Sequence, residues 1–362
     1  MKLASPFRLT TTRRSGTALP AARPSPRAVV ASFIALFCLL NLAAFAAMEV
    51  WPSLRDPEYG RRAARLKARV AENPGRPLAL VVGSSRTSMG VNPAAWEAVR
   101  PAAAPMLFNL SIAGSGPMIE LMTLRRAFAD GVRPAVVLLE FWPPFMRQDG
   151  LYFEPNRIDH HRLFWGDRET VREICPDPPD IESKMRTTRF NPIGENRHRW
   201  LAQVFPSWLP VSKRLDGSWS TLDPWGWLPG LDEDAGRAGR LVGSEAYYRP
   251  ALTGCRVDPK SDWAVRESVR LARSHGAAVG FVWLPESSEF RSWYPRDTEQ
   301  HSREYITKSC GELGAPLIDA REWVPDVRLS DGFHLTRKGA AEFTRKLGPA
   351  VTAAFPQLGG TP

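Results

Sequence analysis

Residues 78–87 read Leu-Ala-Leu-Val-Val-Gly-Ser-Ser-Arg-Thr. Five apolar residues stop at a glycine and two serines, which is how a short buried strand runs into a tight turn. Further along, Met106–Leu110 is a second apolar run. Pro117–Asp130 has helical spacing through Ile119, Met122, Leu124 and Phe128, and Gly131 closes it. Ala135–Leu139 is a third apolar run. Strand, turn, helix and strand in this order predict βαβ units and a parallel sheet. The pattern breaks near Pro143-Pro144 and stays broken to about residue 255, through sequence dense in Pro, Arg and Trp. It resumes with a helix at Asp262–His275, a strand at Ala278–Leu284, a helix near Asp297–Leu313, a short strand at Pro316–Asp319 and a last helix at Thr336–Leu347. The expectation is a doubly wound α/β domain of about five strands, interrupted at about 143–257. Its chemistry belongs at the carboxyl ends of the strands.

On the amino-terminal side, residues 58–72 read as a charged helix, ended by Asn73-Pro74-Gly75. Before it lies the most apolar stretch of the chain, Ala28 to Met48, whose only polar side chains are Ser32 and Asn41. As a helix, these residues reach about 31 Å, the hydrocarbon thickness of a bilayer. Residues 1–27 carry Lys2, Arg8, Arg13, Arg14, Arg23 and Arg27 and no acid, while Glu49 and Trp51 follow the run. This asymmetry predicts a transmembrane anchor with its amino terminus in the cytoplasm and the rest of the chain outside, in the periplasm or its equivalent. A cleaved signal peptide is the competing reading, because Ala44-Phe45-Ala46 resembles a small-x-small site. The boundaries expected are a basic tail over 1–27, an anchor over 28–50, a juxtamembrane helical stalk over 51–75 and one domain over 76–362.

The chain has 362 residues, 43% hydrophobic and 24% charged, a globular composition. The net charge of +10 is concentrated in the tail, so nucleic acid is not an expected partner. Of four cysteines, Cys38 lies in the apolar run. Cys175 and Cys255 sit in Pro-rich loops, where one disulfide between them and fully unpaired thiols both stay open. Asp159-His160-His161, with Glu195 and His198 nearby, offers metal-ligand types, but adjacent histidines on a loop rarely aim at one ion; no metal is expected. Trp200, Trp208, Trp219, Trp225 and Trp227 fall within 28 residues. They suit either a small aromatic core for the insertion or contact with sugar faces. The arginines at 186–189 and 197–199 read as solvated loop charge, with anionic glycan or lipid headgroups as the alternative.

Two segments carry chemistry. After the first strand, a serine on the Gly83-Ser84-Ser85 turn is exposed at the sheet edge. Near the end stands Asp331-Gly332-Phe333-His334-Leu335-Thr336. A serine hydroxyl needs a base, and neutral imidazole serves near pH 7. A carboxylate on its other nitrogen fixes the tautomer. Of six histidines, His334 alone has an aspartate three residues before it on a loop entering a helix.

Together these pieces resemble the SGNH, or GDSL-type, hydrolase superfamily. Gly83-Ser84-Ser85-Arg86-Thr87 resembles its first block, Asn109-Leu110-Ser111-Ile112-Ala113-Gly114 its second, and the segment 331–340 its last, with Thr-x-x-Gly opening the helix. The resemblance implies a three-layer α/β/α sandwich with a parallel, flavodoxin-like sheet. It implies Ser85 as nucleophile, His334 as base and Asp331 as its orienting acid. The N–H groups of Ser85 and Gly114 would form the oxyanion hole, and no cofactor is needed. Two departures stand out. Ser84 replaces the family's Asp, which makes it a minor rival nucleophile. Glu140-Phe141-Trp142-Pro143 stands where the third block carries Gly-x-Asn. Arg86 is a candidate replacement donor, Arg86 and Trp142 are candidate substrate contacts, and Glu140 reads as a polar residue tying loops together. The departures and the anchor resemble membrane-tethered members that act beside a multispanning membrane acyltransferase. The implied function is an esterase or O-acyltransferase acting on an acylated envelope or exported polysaccharide. The alternative is a catalytically impaired glycan-binding or scaffold module on the same fold.

Overall fold

The computed structural model describes residues 25–149, 154–215, 217, 219–232 and 236–358. All but the end of the basic tail expected over 1–27 lies outside the described residues. Five strands, β1 (Leu78–Val82), β2 (Met106–Asn109), β3 (Val136–Glu140), β4 (Ala278–Trp283) and β5 (Leu317–Asp319), form one fully parallel sheet in the order β2-β1-β3-β4-β5. β2 and β3 flank β1 on opposite sides, so the winding reverses there and opens a crevice at the carboxyl ends of β1 and β3.

Alternate strand residues feed two cores, as the period of two requires. Leu78, Leu80 and Val82 of β1 enter one with Phe108, Leu139 and Phe281; Ala79 and Val81 enter the other with Leu107, Leu138 and Val282. The helices, in chain order, begin with α1 (Pro26–Val50), α2 (Pro52–Arg55), α3 (Pro57–Glu72), α4 (Ser85–Gly90), α5 (Pro93–Glu97) and α6 (Pro117–Ala129). The insertion adds α7 (Arg168–Ile174), α8 (Pro178–Phe190), α9 (Pro192–Val204) and α10 (Arg237–Leu252). Four more follow: α11 (Pro259–Ser274), α12 (Ser288–Ser292), α13 (Arg296–Leu313) and α14 (Arg337–Ala354). The first core is covered by α3, α6, α11 and α13, the second by α5 and α14, giving the expected three-layer sandwich.

α3 does not stand clear as a stalk. Its Tyr59, Ala63 and Leu66 recur at helical spacing and are buried in the first core. Arg62 is also wholly buried. It donates to the Gly226 carbonyl (3.1 Å) and the Ser88 hydroxyl (2.6 Å) and pairs with Glu58 (3.2 Å). The folded unit therefore begins near residue 56, where Asp56 caps α3 by accepting from Tyr59 N.

The insertion is largely helical. α8 and α9 each open on a capping residue followed by proline, Asp177-Pro178 and Asn191-Pro192. Its tryptophans divide between contacts with the rest of the chain and a small core of the insertion's own. Trp227 Nε1 donates to Met89 O (2.6 Å) and Trp200 Nε1 to Leu54 O (2.9 Å), and Trp219 is buried with Leu209 and Leu228. The edge of β2 is covered where Asn109 N donates to Trp225 O (3.1 Å), which protects a strand that would otherwise invite pairing. Cys175 and Cys255 are both buried and unbonded, so the disulfide left open by the sequence is absent. α1 is a 25-residue helix with the length and hydropathy to cross a membrane. Its large side chains are mostly exposed, and Met48 near its end is fully buried.

Candidate active site

β1 delivers Ser85 to the crevice, and the way its turn is held explains the local sequence. Ser84 N donates to Glu140 Oε2 (2.6 Å), and Thr87 Oγ1 donates to the same oxygen (2.7 Å). Glu140, at the end of β3, thus clamps the turn, in keeping with the loop-tying reading. Only glycine fits at position 83, because a Cβ there would run into the Glu140 side chain. Ser84 is 1% exposed, and its hydroxyl caps α4 by accepting from Arg86 N (3.1 Å). Ser85, one residue later, faces the surface.

The opposing loop is a tight hairpin. Leu329 and Leu335 bridge antiparallel, Ser330 N donates to His334 O (2.8 Å), and Gly332 turns the chain at φ +99°. Thr336 caps α14 by accepting from Gly339 N (3.1 Å). Gly339 is required because a Cβ would meet the Arg328 carbonyl, which is the physical content of Thr-x-x-Gly. Within this hairpin Asp331 Oδ1 accepts from the N–H groups of Phe333 (3.2 Å) and His334 (2.8 Å), and Asp331 Oδ2 lies 2.7 Å from His334 Nδ1. His334 Nε2 lies 2.9 Å from Ser85 Oγ, across 249 residues of sequence. Burial alone would raise the Asp331 carboxyl, but the charge and hydrogen bonds of His334 outweigh it and hold the group below the ordinary carboxylate range.

The second-block segment leaves the sheet beside this turn. Leu110 N donates to Val81 O and Ile112 N to Gly83 O, both 2.9 Å, so Gly114 and Ser85 each follow two residues after a paired position. Gly114 has φ +79°. Neither the Ser85 nor the Gly114 N–H is spent on a hydrogen bond among the described residues. Gly114 O accepts from Arg157 Nη1 (2.6 Å).

Arg86 and Trp142 are not surface contacts. Both are buried, at 1% and 2% exposure. The Arg86 guanidinium donates to the carbonyls of Leu284 (3.0 Å) and Pro285 (3.2 Å), and lies 3.6 Å from Glu140, 3.4 Å from Glu286 and 4.7 Å from the centre of the Trp142 ring. Its charge is balanced beneath the site by Glu140 and Glu286, and at 1% exposure it does not line a substrate surface. Trp142 packs with Phe145, Phe290 and Phe333.

Three groups from the insertion also reach the site, unannounced by any sequence motif. Arg157 is the first. On α10, Arg237 Nε donates to Leu329 O (2.9 Å) and Arg240 Nε to Ser330 O (3.0 Å), bracing the hairpin of His334. The third, Tyr248, packs edge-on to Phe333 at 4.6 Å. Asp159, His160 and His161 do cluster. Yet His161 meets Asp159 (3.0 Å) and Glu195 (3.3 Å) through its two ring nitrogens, and Arg199 takes the other Asp159 oxygen (2.6 Å). Asp159 and His161 are thus engaged in an ion-pair network with Glu195 and Arg199.

No family model matches the chain, and no curated protein matches it in sequence. Among solved structures, a catalytic mutant of an acetylxylan esterase from Geobacillus stearothermophilus is similar to it, with 12% identity and a TM-score of 0.31 over 79% of this chain and 95% of that one. At that distance the likeness adds nothing to the site, whose reading rests on the geometry above.

Proposed function

We propose that this chain is a membrane-anchored serine acyl-transfer enzyme of the SGNH type. Its domain lies outside the cytoplasm and acts on O-acyl groups of an envelope or exported polysaccharide. The observation that carries the chemistry is the unbroken line from Ser85 Oγ to His334 Nε2 and from His334 Nδ1 to Asp331. His334 Nε2 takes the hydroxyl proton as Ser85 Oγ attacks the acyl carbonyl carbon. The negative charge that develops on the carbonyl oxygen faces the unspent N–H groups of Ser85 and Gly114. One such donor is worth about a hundredfold or more in rate. Collapse breaks the ester bond, and His334 returns the proton to the departing alcohol. The acyl-enzyme is then resolved when water or a sugar hydroxyl gives its proton to His334 and attacks the same carbon. Asp331 stays ionised and stabilises the imidazolium in both halves. The polysaccharide substrate follows from the external placement of the domain and from the resemblance of its blocks to tethered members of the superfamily.

The test uses the full chain in detergent micelles with a chromogenic acetyl ester, with and without an oligosaccharide acceptor. The wild type releases acetate and is labelled by a fluorophosphonate at Ser85. Acetylated oligosaccharide marks a transferase, and free acetate alone an esterase. A folded wild type that neither turns over the ester nor takes the label overturns the reading and leaves the non-catalytic glycan-binding module.

A further inference from the structure

The carboxyl-terminal half of α1 is not a bare rod. A cleft of about 720 Å³ runs between it and the end of α8. One wall is apolar: Phe37, Leu42 and Phe45 of α1 face Trp165 and Phe190. From Phe37 to Glu49 this wall extends about 18 Å along the helix. The rim is cationic. Arg55, whose side chain is wholly buried, takes Glu49 at 2.8 Å, and Arg189 reaches the same carboxylate only at 3.6 Å. One carboxylate therefore serves two guanidiniums. Arg189 Nη2 is buried and makes no hydrogen bond among the described residues. Burial and the charge of Arg55 push the Arg189 guanidinium down to about 10, against the pull of Glu49 and Asp167, so an added anion there would relieve it. Arg186, more than half exposed, stands at the same rim.

Phe190, at the end of α8 and in the lining of the cleft, is 84% exposed. A large apolar side chain this exposed, beside two arginines and a bilayer-length helix, has the character of a membrane-interface surface. A packed apolar helix from another protein would cover the Phe37–Phe45 wall but bring no anion to Arg186 and Arg189, whose pairs with Glu182 and Glu49 are long, at 4.0 and 3.6 Å. An anion carrying an acyl chain matches both.

We propose that this cleft holds one anionic phospholipid of the outward-facing leaflet, its acyl chain along the α1 wall and Phe190 and its phosphate on Arg186 and Arg189. The inference rests on α1 being the membrane anchor. The bound lipid would seat the insertion in the leaflet and fix the height and tilt of the domain above it. The experiment reconstitutes the full chain in phosphatidylcholine vesicles containing a little phosphatidylglycerol with a diazirine in its acyl chain, irradiates them and maps the adducts by peptide mass spectrometry. Adducts concentrate on 37–45 and 190, and unlabelled phosphatidylglycerol competes better than phosphatidylcholine. Arg186→Gln with Arg189→Gln lowers the yield about tenfold, as loss of charge-assisted contacts requires. Arg186→Gln alone, at an exposed position, lowers it without touching the fold. Adducts spread evenly around α1, or equal competition by phosphatidylcholine, overturn the site. A carbonate wash of the same vesicles separates the two readings. If the chain stays and the adducts are diffuse, only the lipid site falls; if the chain is released, the anchor falls and takes the site with it.

Discussion

Ser84 and Ser85 are neighbours with the same hydroxyl, and their surroundings divide the work between them. Ser84 is buried and spent on Glu140 and the α4 cap, whereas Ser85 meets His334. Ser85→Ala and His334→Ala should each abolish nearly all ester turnover, and the double variant should be no worse in initial rate, because nucleophile and base act as one unit. Ser84→Ala should keep most activity and lose about 1 kcal/mol of stability in urea, the value of a helix cap. Asp331 supports a second expectation. Its folded carboxyl lies below its ordinary value of 3.8, so it contributes stability that is present above that value and lost as pH falls through the lower folded one. The difference in Tm between wild type and Asp331→Asn should therefore be full near neutrality and shrink below about pH 4. Arg86 supports a third. Arg86→Met leaves Glu140 and Glu286 buried without their cation and should cost about 3–5 kcal/mol in urea unfolding. The Asp331–His334 pair was legible because its spacing is local and its chemistry specific, whereas Ser85, 249 residues from His334, was pointed to only by the family resemblance. Arg86 and Trp142 were not legible, since a strand-end residue can turn into the core or out of it with the same neighbours in sequence.

At the scale of elements, strands were read most securely. β1 was legible residue for residue, and the other four within a residue or two at each end, because a strand buried on both faces is an unbroken apolar run bounded by turn residues. α7 to α10 were missed because each gives only one or two buried residues to a hydrophobic cluster, so no long apolar stripe marks them. The cap-and-proline pairs at 177–178 and 191–192 were the available signal. α3 was seen as a helix but not as a packed one, because its buried face includes Arg62 and Glu58, which read as surface until their partners are known. The short segment Glu154–Arg157 shows how such a missed element can matter. Glu154 accepts from Gly116 N (2.6 Å), Met118 N (2.8 Å) and Ile119 N (2.9 Å), anchoring the start of α6, while Arg157 holds the Gly114 carbonyl. In the proposed mechanism that carbonyl fixes the orientation of the loop whose N–H would face the oxyanion. Arg157→Ala should lower kcat by roughly tenfold to a hundredfold with KM little changed, as a small misplacement of the hole would. Added guanidinium ion should restore part of the rate; a KM effect without a kcat effect would assign Arg157 to substrate binding instead.

For the molecule as a whole, the open question is where the domain sits, and α1 sets the terms. Val29, Phe33, Leu36, Leu39 and Leu42 are each more than half exposed, a surface that water disfavours and a bilayer accepts. Burial begins only near the carboxyl end, where Met48 is enclosed and Glu49 pairs with Arg55. The helix thus has an end packed into the domain and a shaft long and apolar enough to cross a membrane. Cleavage after Ala46 would strip the shaft and leave Ala47 as the new terminus, directly before Met48 and Glu49. In the proposed topology the six basic residues of 1–27, which oppose transfer across the membrane, stay inside, and the crevice of Ser85 would then lie outside. A reporter enzyme that works only outside the cytoplasm, fused after residue 50, should be active, and its cytoplasm-active counterpart silent. The full-length chain should stay in the membrane pellet through a carbonate wash, with its amino terminus intact by mass spectrometry. Replacing the six basic residues with glutamine should lower the fraction of chains showing external reporter activity, since those charges set the orientation. A mature chain free in solution and starting near residue 47 would make α1 a signal sequence.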